Sequence, residues 1–434
     1  MRLSLRLAAT LSCSVLAFAA LQAVPAQAQT ASLPERVIVN LTETPSTSLA
    51  FNWRAEAGAG DGFIEYAILT PGPAYPAKAV RLPAQRTSAA FTTRDEQNVA
   101  ADYYSVRLTG LTPDTQYVYR VGKDGAWSPW RQVKTAAAEV RPFTFLYMGD
   151  VQNDIRSMGG LAVRRALRQT PDAAFMLFAG DLINRADNDA EWGEWFDMDA
   201  HRLAETPSLM TPGNHEYMKP QGSTPQMLAP QWRLQFTLPE NGPSDMLTET
   251  VYRVDYQGVR IISLDADMID EDPQAARDQV AWLERQLADN PSRWTVVFLH
   301  YPLYSTARGR SGEELRAVLQ PLFDRYHVDL VLAGHDHTYG RGRPHDQGPV
   351  YMVSNVGPKQ YPLGDLNWTE RKASGVQVFQ QVEVSAARLT MRAFTMDGAL
   401  YDAFQLDKPG AGPARLTDLK PATPELILRR EDQQ

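Results

Sequence analysis

Val331-Leu332-Ala333-Gly334-His335-Asp336-His337 decides how the rest of this chain is read. The apolar run from Val328 to Ala333, broken only by Asp329, reads as a buried strand. It stops at Gly334, and two histidines follow two residues apart. In an extended or turning backbone, positions two apart can face the same side. Two imidazoles so placed can reach one metal ion, or one ion each of a close pair. Taken alone, they are as readily two surface histidines in a loop. Three earlier segments also run apolar and then stop at a metal-ligand residue: Phe145-Leu146-Tyr147-Met148-Gly149-Asp150, Phe175-Met176-Leu177-Phe178-Ala179-Gly180-Asp181 and Val296-Val297-Phe298-Leu299-His300. A shorter one, Leu209-Met210-Thr211-Pro212-Gly213-Asn214-His215-Glu216, has the same form. The chain holds only 7 histidines, and four of them, His215, His300, His335 and His337, fall on these motifs. His201 and His327 lie in or just after expected helices and read as structural.

The ordered set Gly-Asp, Gly-Asp, Gly-Asn-His-Glu, His, Gly-His-x-His resembles the calcineurin-like metallophosphoesterase superfamily from Pro142 to Asp407. The resemblance implies a four-layer-type α/β sandwich with ligands gathered at the carboxyl ends of strands. It implies two metal ions bridged by Asp181. The first ion would take Asp150, Asp181 and His337; the second would take Asp181, Asn214, His300 and His335. It also implies a phosphoester hydrolase in which a metal-bridging hydroxide attacks phosphorus, with His215 stabilising transition-state charge or protonating the leaving oxygen. Glu216 would orient His215. Arg341, Arg343 and His345 would contact substrate, or else be solvated loop residues. Oxygen and nitrogen donors of this kind suit Zn, Mn or Fe, as a divalent or mixed-valence pair.

Upstream, Leu33 to Thr135 reads as all-β. Val37-Ile38-Val39, Ser48 to Trp53 and Tyr117 to Val121 cluster or alternate β-formers, with glycine and proline turns between them. The stretch Ser105 to Gly122 resembles the end of a fibronectin type III-like domain. The same form precedes the catalytic domain in plant-type purple acid phosphatases. The expected organisation is an all-β sandwich over 33–136, a metallophosphoesterase domain over 142–407 and a flexible, proline-rich tail over 408–434. A scaffold packed against the catalytic domain is the expected role of the first of these.

Two positions depart from the families. Metallophosphoesterases commonly open with Asp-x-His, and here Gln152 follows Asp150-Val151. Purple acid phosphatases carry Gly-Asp-x-x-Tyr, whose tyrosinate binds ferric iron, and here Asn184 holds that place. Gln152 and Asn184 could supply amide oxygens to metal instead. These losses motivate the alternative of a non-catalytic binding protein with a decayed site. A phosphodiesterase of the same superfamily is the other alternative.

Hydrophobic residues make up 44% of the 434, enough for sizeable cores, and the formal net charge is −8. An acidic surface argues against general nucleic-acid binding, so the expected partner is a small-molecule or exposed phosphoester. Met1 to Ala28 has the form of a secretory leader: Arg2 and Arg6, an apolar stretch from Leu7 to Leu21, then Ala26-Gln27-Ala28. The apolar stretch is short for a spanning helix, so a secreted or periplasmic protein with no membrane span after cleavage is expected. The single cysteine, Cys13, lies inside that leader.

Overall fold

A computed structural model describes residues 32–93, 97–218, 226–408, 410 and 412–427. The expected leader, Met1 to Ala28, lies outside them.

Among the described residues the strands sort into two large sheets, a five-stranded third and a two-stranded ribbon. The first large sheet has 11 strands. At its centre Phe143–Met148, Met176–Ala179 and Ser208–Thr211 run parallel. Val378–Val384 pairs antiparallel with Phe143–Met148, and Arg388–Thr395 and Leu400–Asp407 continue outward. The second large sheet has 7 strands, with Val259–Ser263, Trp294–Phe298, Leu330–Ala333 and Val350–Val353 parallel. These parallel strands are buried on both faces, which explains their unbroken apolar reading.

Strand Trp294–Phe298 shows how the layers stack. Side chains alternate across a strand. Trp294, Val296 and Phe298 join Phe145 and Phe178 in the core between the sheets. Val297, together with Leu299 just beyond the strand, faces the other way, onto Trp282 and Leu283 of helix Pro273–Ala288 and Phe323 of helix Glu313–Arg325. Helix Gly160–Gln169 covers the outer face of the first sheet through Ala162, Val163 and Ala166. Helix, sheet, sheet, helix is the four-layer α/β sandwich the motifs imply.

Helix ends follow capping chemistry. Asp272 accepts from the Gln274 and Ala275 amides at 2.7 and 2.9 Å and opens the helix at Pro273, as the proline predicts. The Trp192, Trp195 and Phe196 pattern between Asn188 and Leu203 reads as one long helix. It is two, Asp189–Asp197 and Ala200–Leu203, because Asp199 turns out of the helix and caps the second piece at Arg202 N, 3.2 Å.

The N-terminal strands form a β-sandwich. One of its sheets, Glu35–Leu41, Leu49–Glu56, Asn98–Leu108 and Gln85–Thr92, continues directly into the first large sheet. The join is parallel pairing of Glu35–Leu41 with Ser208–Thr211 at Asn40 and Ser208, where Asn40 Nδ2 donates to the Ser208 carbonyl at 3.1 Å. Arg36 and Arg54 each reach Asp189 at 2.8 Å, and Arg36 donates to Gln235 at 2.7 Å. The expected scaffold is therefore fused to its neighbour by backbone pairing.

The expected flexible tail needs correction in its described part. Arg415–Asp418 adds an edge strand to Leu400–Asp407. Further on, Arg371 donates to the Thr423 carbonyl at 2.8 Å and Ser374 N to the Leu426 carbonyl at 3.0 Å. Leu416 and Leu426 give this proline-rich stretch apolar anchors on the core.

Candidate metal centre

The carboxyl ends of both large sheets meet at one place. Asp150 and Asp181 leave the first sheet just after Phe143–Met148 and Met176–Ala179, and Asn214 follows Ser208–Thr211. His300 follows Trp294–Phe298 in the second sheet, and His335 and His337 follow Leu330–Ala333. Two overlapping groups result, Asp150 with Asp181 and His337, and Asp181 with His300 and His335. Within each group the ligand atoms all lie within 4.8 Å of one another, and Asp181 belongs to both.

Four of these residues sit in the left-handed region: Asp150 at φ 50°, Asp181 at 51°, His335 at 72° and His337 at 48°. Asp and His tolerate it better than most L residues, yet each such position costs roughly 1–3 kcal/mol. Glycine precedes Asp150, Asp181, Asn214 and His335, though not His300, for a steric reason. A Cβ on Gly334 would lie 2.6 Å from Asp150 Oδ2, and one on Gly213 would strike Asp181 Oδ1. Only a bare Cα lets the two sheets bring their ligands this close.

Two of the three imidazoles, His300 and His337, are oriented by carbonyls. His300 Nδ1 donates to the Ala179 carbonyl at 2.8 Å, which turns Nε2 toward Asp181 Oδ2 at 3.3 Å. His337 Nδ1 donates to the Lys359 carbonyl at 3.0 Å, leaving Nε2 3.7 Å from Asp150 Oδ1. His335 Nδ1 lies 3.2 Å from His300 Nε2, and its ring sits 4.5 Å from Tyr301. Metal-ligating histidines are commonly fixed by such outer contacts.

Burial makes the cluster electrostatically unsettled. It drives His335 down to about 2, helped by His300 and Arg310, and His337 down to about 3, helped by Lys359. Both are neutral donors at ordinary pH. Burial also opposes a charged His300, but Asp181 and Asp150 outweigh it and lift the imidazole to about 10. Burial pushes Asp150 well above the carboxylate range, against the pull of His300. Asp181 stays below that range, since His300 and His215 overcome its burial. Buried carboxylates and imidazoles that disagree over protons are a setting that bound cations would resolve.

Two buried amide oxygens point the same way. Asn214 Oδ1 and Gln152 Oε1 have no hydrogen-bond partner among the described residues. Gln152 Nε2 donates to Asp181 Oδ2, which leaves the oxygen of the same amide unmatched. Orphaned acceptors beside two Asp/His groups fit metal ions. The donor set, carboxylate, amide oxygen and neutral imidazole, suits Zn, Mn or Fe. Asn184 is engaged otherwise: its Oδ1 accepts from Asn153 Nδ2 at 3.1 Å.

Two expectations about neighbouring residues, those for Glu216 and Arg341, are overturned. Glu216 does not orient the His215 ring. Its carboxylate accepts backbone N–H groups from Gly213 at 2.6 Å, Leu182 at 2.8 Å and Asp181 at 2.9 Å, and so fixes the two loops that carry Asp181 and Asn214. Burial, with Asp181 beside it, pushes Glu216 up to about 8. What orients His215 is the Asn184 carbonyl, 2.5 Å from Nδ1, with Nε2 left 3.9 Å from Asp181 Oδ2. Arg341 does not face substrate. It is fully buried, with Nη2 and Nε on Asp402 at 2.7 and 2.9 Å and a further contact to Asp418 at 3.1 Å. His345 is exposed, as a solvated loop residue would be, with its ring 3.2 Å from Tyr304 Oη on the wall of a neighbouring cavity.

Asp336 was passed over between its two histidines. Facing opposite to them, it accepts from Ser305 Oγ and Thr306 N at 2.6 Å each and from Ala307 N at 3.2 Å. The alternation that pairs the histidines already implied this. A cleft of about 460 Å³ opens at His335, lined in part by Tyr301, Ser305 and Arg310.

Comparisons with known proteins agree with this architecture. Residues 143–339 match the family described as Calcineurin-like phosphoesterase, and residues 34–135 match Purple acid Phosphatase, N-terminal domain. An uncharacterized protein of Mycobacterium tuberculosis is 32% identical over 269 residues, 55% of this chain and 50% of that protein. Purple acid phosphatase 21 of Arabidopsis thaliana is 29% identical over 273 residues, 60% of this chain and 57% of that protein. The chain thus spans about half the length of the curated relatives it matches. Among solved structures, a purple acid phosphatase from yellow lupin (Lupinus luteus) seeds superposes with a TM-score of 0.72 over 87% of this chain and 74% of that one, at 17% identity. PhoD gives 0.66 over 93% and 96%, at 14% identity. At such identities these likenesses show the fold. This chain carries a calcineurin-like phosphoesterase domain behind a purple acid phosphatase N-terminal domain.

Proposed function

We propose that this protein is a metal-dependent phosphoester hydrolase, and one observation carries the reading: two groups of buried donors, delivered by two sheets, share Asp181. Asp150, Asp181 and His337 would hold one ion. Asp181, Asn214, His300 and His335 would hold the other, and Gln152 Oε1 would be a further donor to the first. When bound, the ions supply an activated water and offset phosphoryl charge.

The chain's own residues do the rest. His215 is a quarter exposed, so it can touch substrate. The Asn184 carbonyl takes its Nδ1–H, which directs Nε2 toward the Asp181 side of the centre. From there it can hand a proton to the leaving oxygen. Glu216 keeps Asp181 in its left-handed turn by holding the amides on either side. Met1 to Ala28 is proposed as an export leader, which places the enzyme outside the cytoplasm and is checked by N-terminal sequencing of the exported protein.

The alternative, a binding protein with a decayed site, rests on Gln152 and Asn184. The orphaned oxygens of Gln152 and Asn214 favour a working site. The test is a metal-supplemented assay with p-nitrophenyl phosphate and its bis ester, alongside metal analysis. Turnover dependent on added Mn or Zn, with about two ions per chain, is the expected outcome. Bound metal without turnover on either ester or on nucleotides would leave the binding-protein reading.

A further inference from the structure

A second cavity, of about 780 Å³, adjoins the cleft at His335, and the two share Ser305, Arg310, Ser311 and Glu313. Its deeper wall is aromatic: the Tyr304 and Trp368 rings lie 5.5 Å apart between centroids. Three arginines border it, and they are neutralised to different degrees. Arg310, at the join, donates to the His335 carbonyl at 2.8 Å and to Asp336 at 3.1 Å. Arg316 lies over the Tyr304 ring at 4.7 Å, donates through Nη1 to the Leu303 and Ser311 carbonyls at 3.2 and 3.4 Å, and reaches its one carboxylate among the described residues, Glu313, only at 3.8 Å. Arg343 donates through Nε to the Gly348 carbonyl at 2.8 Å, and its terminal nitrogens have no hydrogen bond or ion pair among the described residues. Half-burial holds its guanidinium below the ordinary arginine value, despite Asp329, Asp346 and Glu370 nearby.

Arg341, two residues earlier, makes the contrast. It takes Asp402, Asp418 and Glu370 for itself, so Glu370 on the cavity wall is already committed. Arg343 is left with a planar pair of donors and no carboxylate on them. Such a fork matches a phosphate, and aromatic faces beside it match a flat or apolar body.

We propose that this second cavity is a leaving-group subsite for phosphoesters that carry a second phosphate, with the body of the leaving group on Tyr304 and Trp368 and the distal phosphate on Arg343 and Arg316. The proposal rests on the hydrolase reading and names the substrate class of that site.

The test uses three substrates on metal-loaded protein: a nucleoside 3′-monophosphate, the matching 3′,5′-bisphosphate, and p-nitrophenyl phosphate. The first two differ only in the distal phosphate. The expected result is a kcat/KM about 10–100-fold higher for the bisphosphate, the worth of charge-assisted hydrogen bonds. Arg343→Gln should collapse that ratio toward one, and Arg343→Glu should invert it, with metal content measured on each sample to show an intact centre. Binding of the 5′-monophosphate to chelator-treated protein gives a second readout, with Kd rising by a similar factor in Arg343→Gln. Equal kcat/KM for the matched pair, beside clear turnover of p-nitrophenyl phosphate, would overturn the subsite and leave the hydrolase standing. A preference that survives both Arg343 variants would overturn this location. No turnover of any of the three would bring down the hydrolase reading and the subsite with it.

Discussion

The two large sheets contribute unlike halves of the metal centre. The first ends in oxygen donors, Asp150, Asp181 and Asn214; the second ends in imidazoles, His300, His335 and His337. The oxygen side is held in place by N–H groups and the nitrogen side by carbonyls. Each half also borrows its fixing contacts from the other sheet. Asp150 accepts the His335 amide at 2.9 and 2.8 Å, and His300 donates to Ala179, the last residue of a first-sheet strand. Neither sheet presents an ordered half-site alone. The geometry is a product of their packing, and the left-handed turns at four ligands are strain that the packing holds in place.

Removing the residue common to both groups should do the most damage. Asp181→Asn is expected to abolish turnover and release both ions, since the bridging charge is lost to each group. Retention of two metals with normal kcat would mean that the halves are joined by something else. His215→Ala comes next. It should lower kcat by about 10²–10⁴-fold with metal content unchanged, because the ring's polar contacts among the described residues are the Asn184 carbonyl and the edge of Asp181. Metal loss in that variant would move His215 into the oxygen side as a ligand.

Glu216→Gln probes the oxygen side without touching a ligand. The amide turns an N–H toward at least one of four backbone N–H groups that now have a carboxylate. Metal affinity should fall about 10–100-fold, the usual effect of disturbing a ligand's support, and saturating metal should restore most of the activity. If affinity is unchanged, Asp181 is held well enough by its remaining contacts to the His215 amide, Gln152 and His300.

Much of this centre was legible because each ligand stands where an apolar run stops. Buried parallel strands read as unbroken hydrophobic stretches, and their carboxyl ends are where such sheets gather ligands. What did not read was which way a charged side chain turns. Arg341 looks like a solvent-facing arginine in a glycine-rich loop. It lies instead in strand Tyr339–Gly342, where Tyr339 and Arg341 converge on Asp402 from a strand some sixty residues later. Glu216 next to His215 invited a local pairing, yet its partners are amides 34 and 35 residues earlier, together with Gly213. The edge strand Arg415–Asp418 was hidden by the prolines around it, since its register is set by Leu400–Asp407. For Arg341 and Glu216 the deciding partners are distant in sequence, and local pattern carries no trace of them; for Arg415–Asp418 the partner is the preceding strand, with Arg415 opposite Asp407.

The smallest expected effect separates Asn184 from the site beside it. This residue holds the place at which purple acid phosphatases carry the tyrosinate that gives ferric iron its colour. Here the side chain accepts from Asn153 at 3.1 Å, the backbone amide donates to Glu191 at 2.7 Å, and the carbonyl orients His215. Without a phenolate, no ligand-to-metal charge-transfer band should appear, so the iron-loaded protein should be colourless or faintly coloured. Strong visible absorption of the iron-loaded wild type would contradict this. Asn184→Tyr keeps the carbonyl and the amide, so the contact to His215 should survive. Turnover with Mn or Zn should then change by less than the His215→Ala loss. With ferric iron the variant should gain a visible band if position 184 is directed at the oxygen side. A colourless variant with iron bound stoichiometrically would show that the side chain stays turned toward Asn153. Gln152, whose amide oxygen is buried and unmatched beside Asp181, would then be the one departure from the family pattern that faces metal.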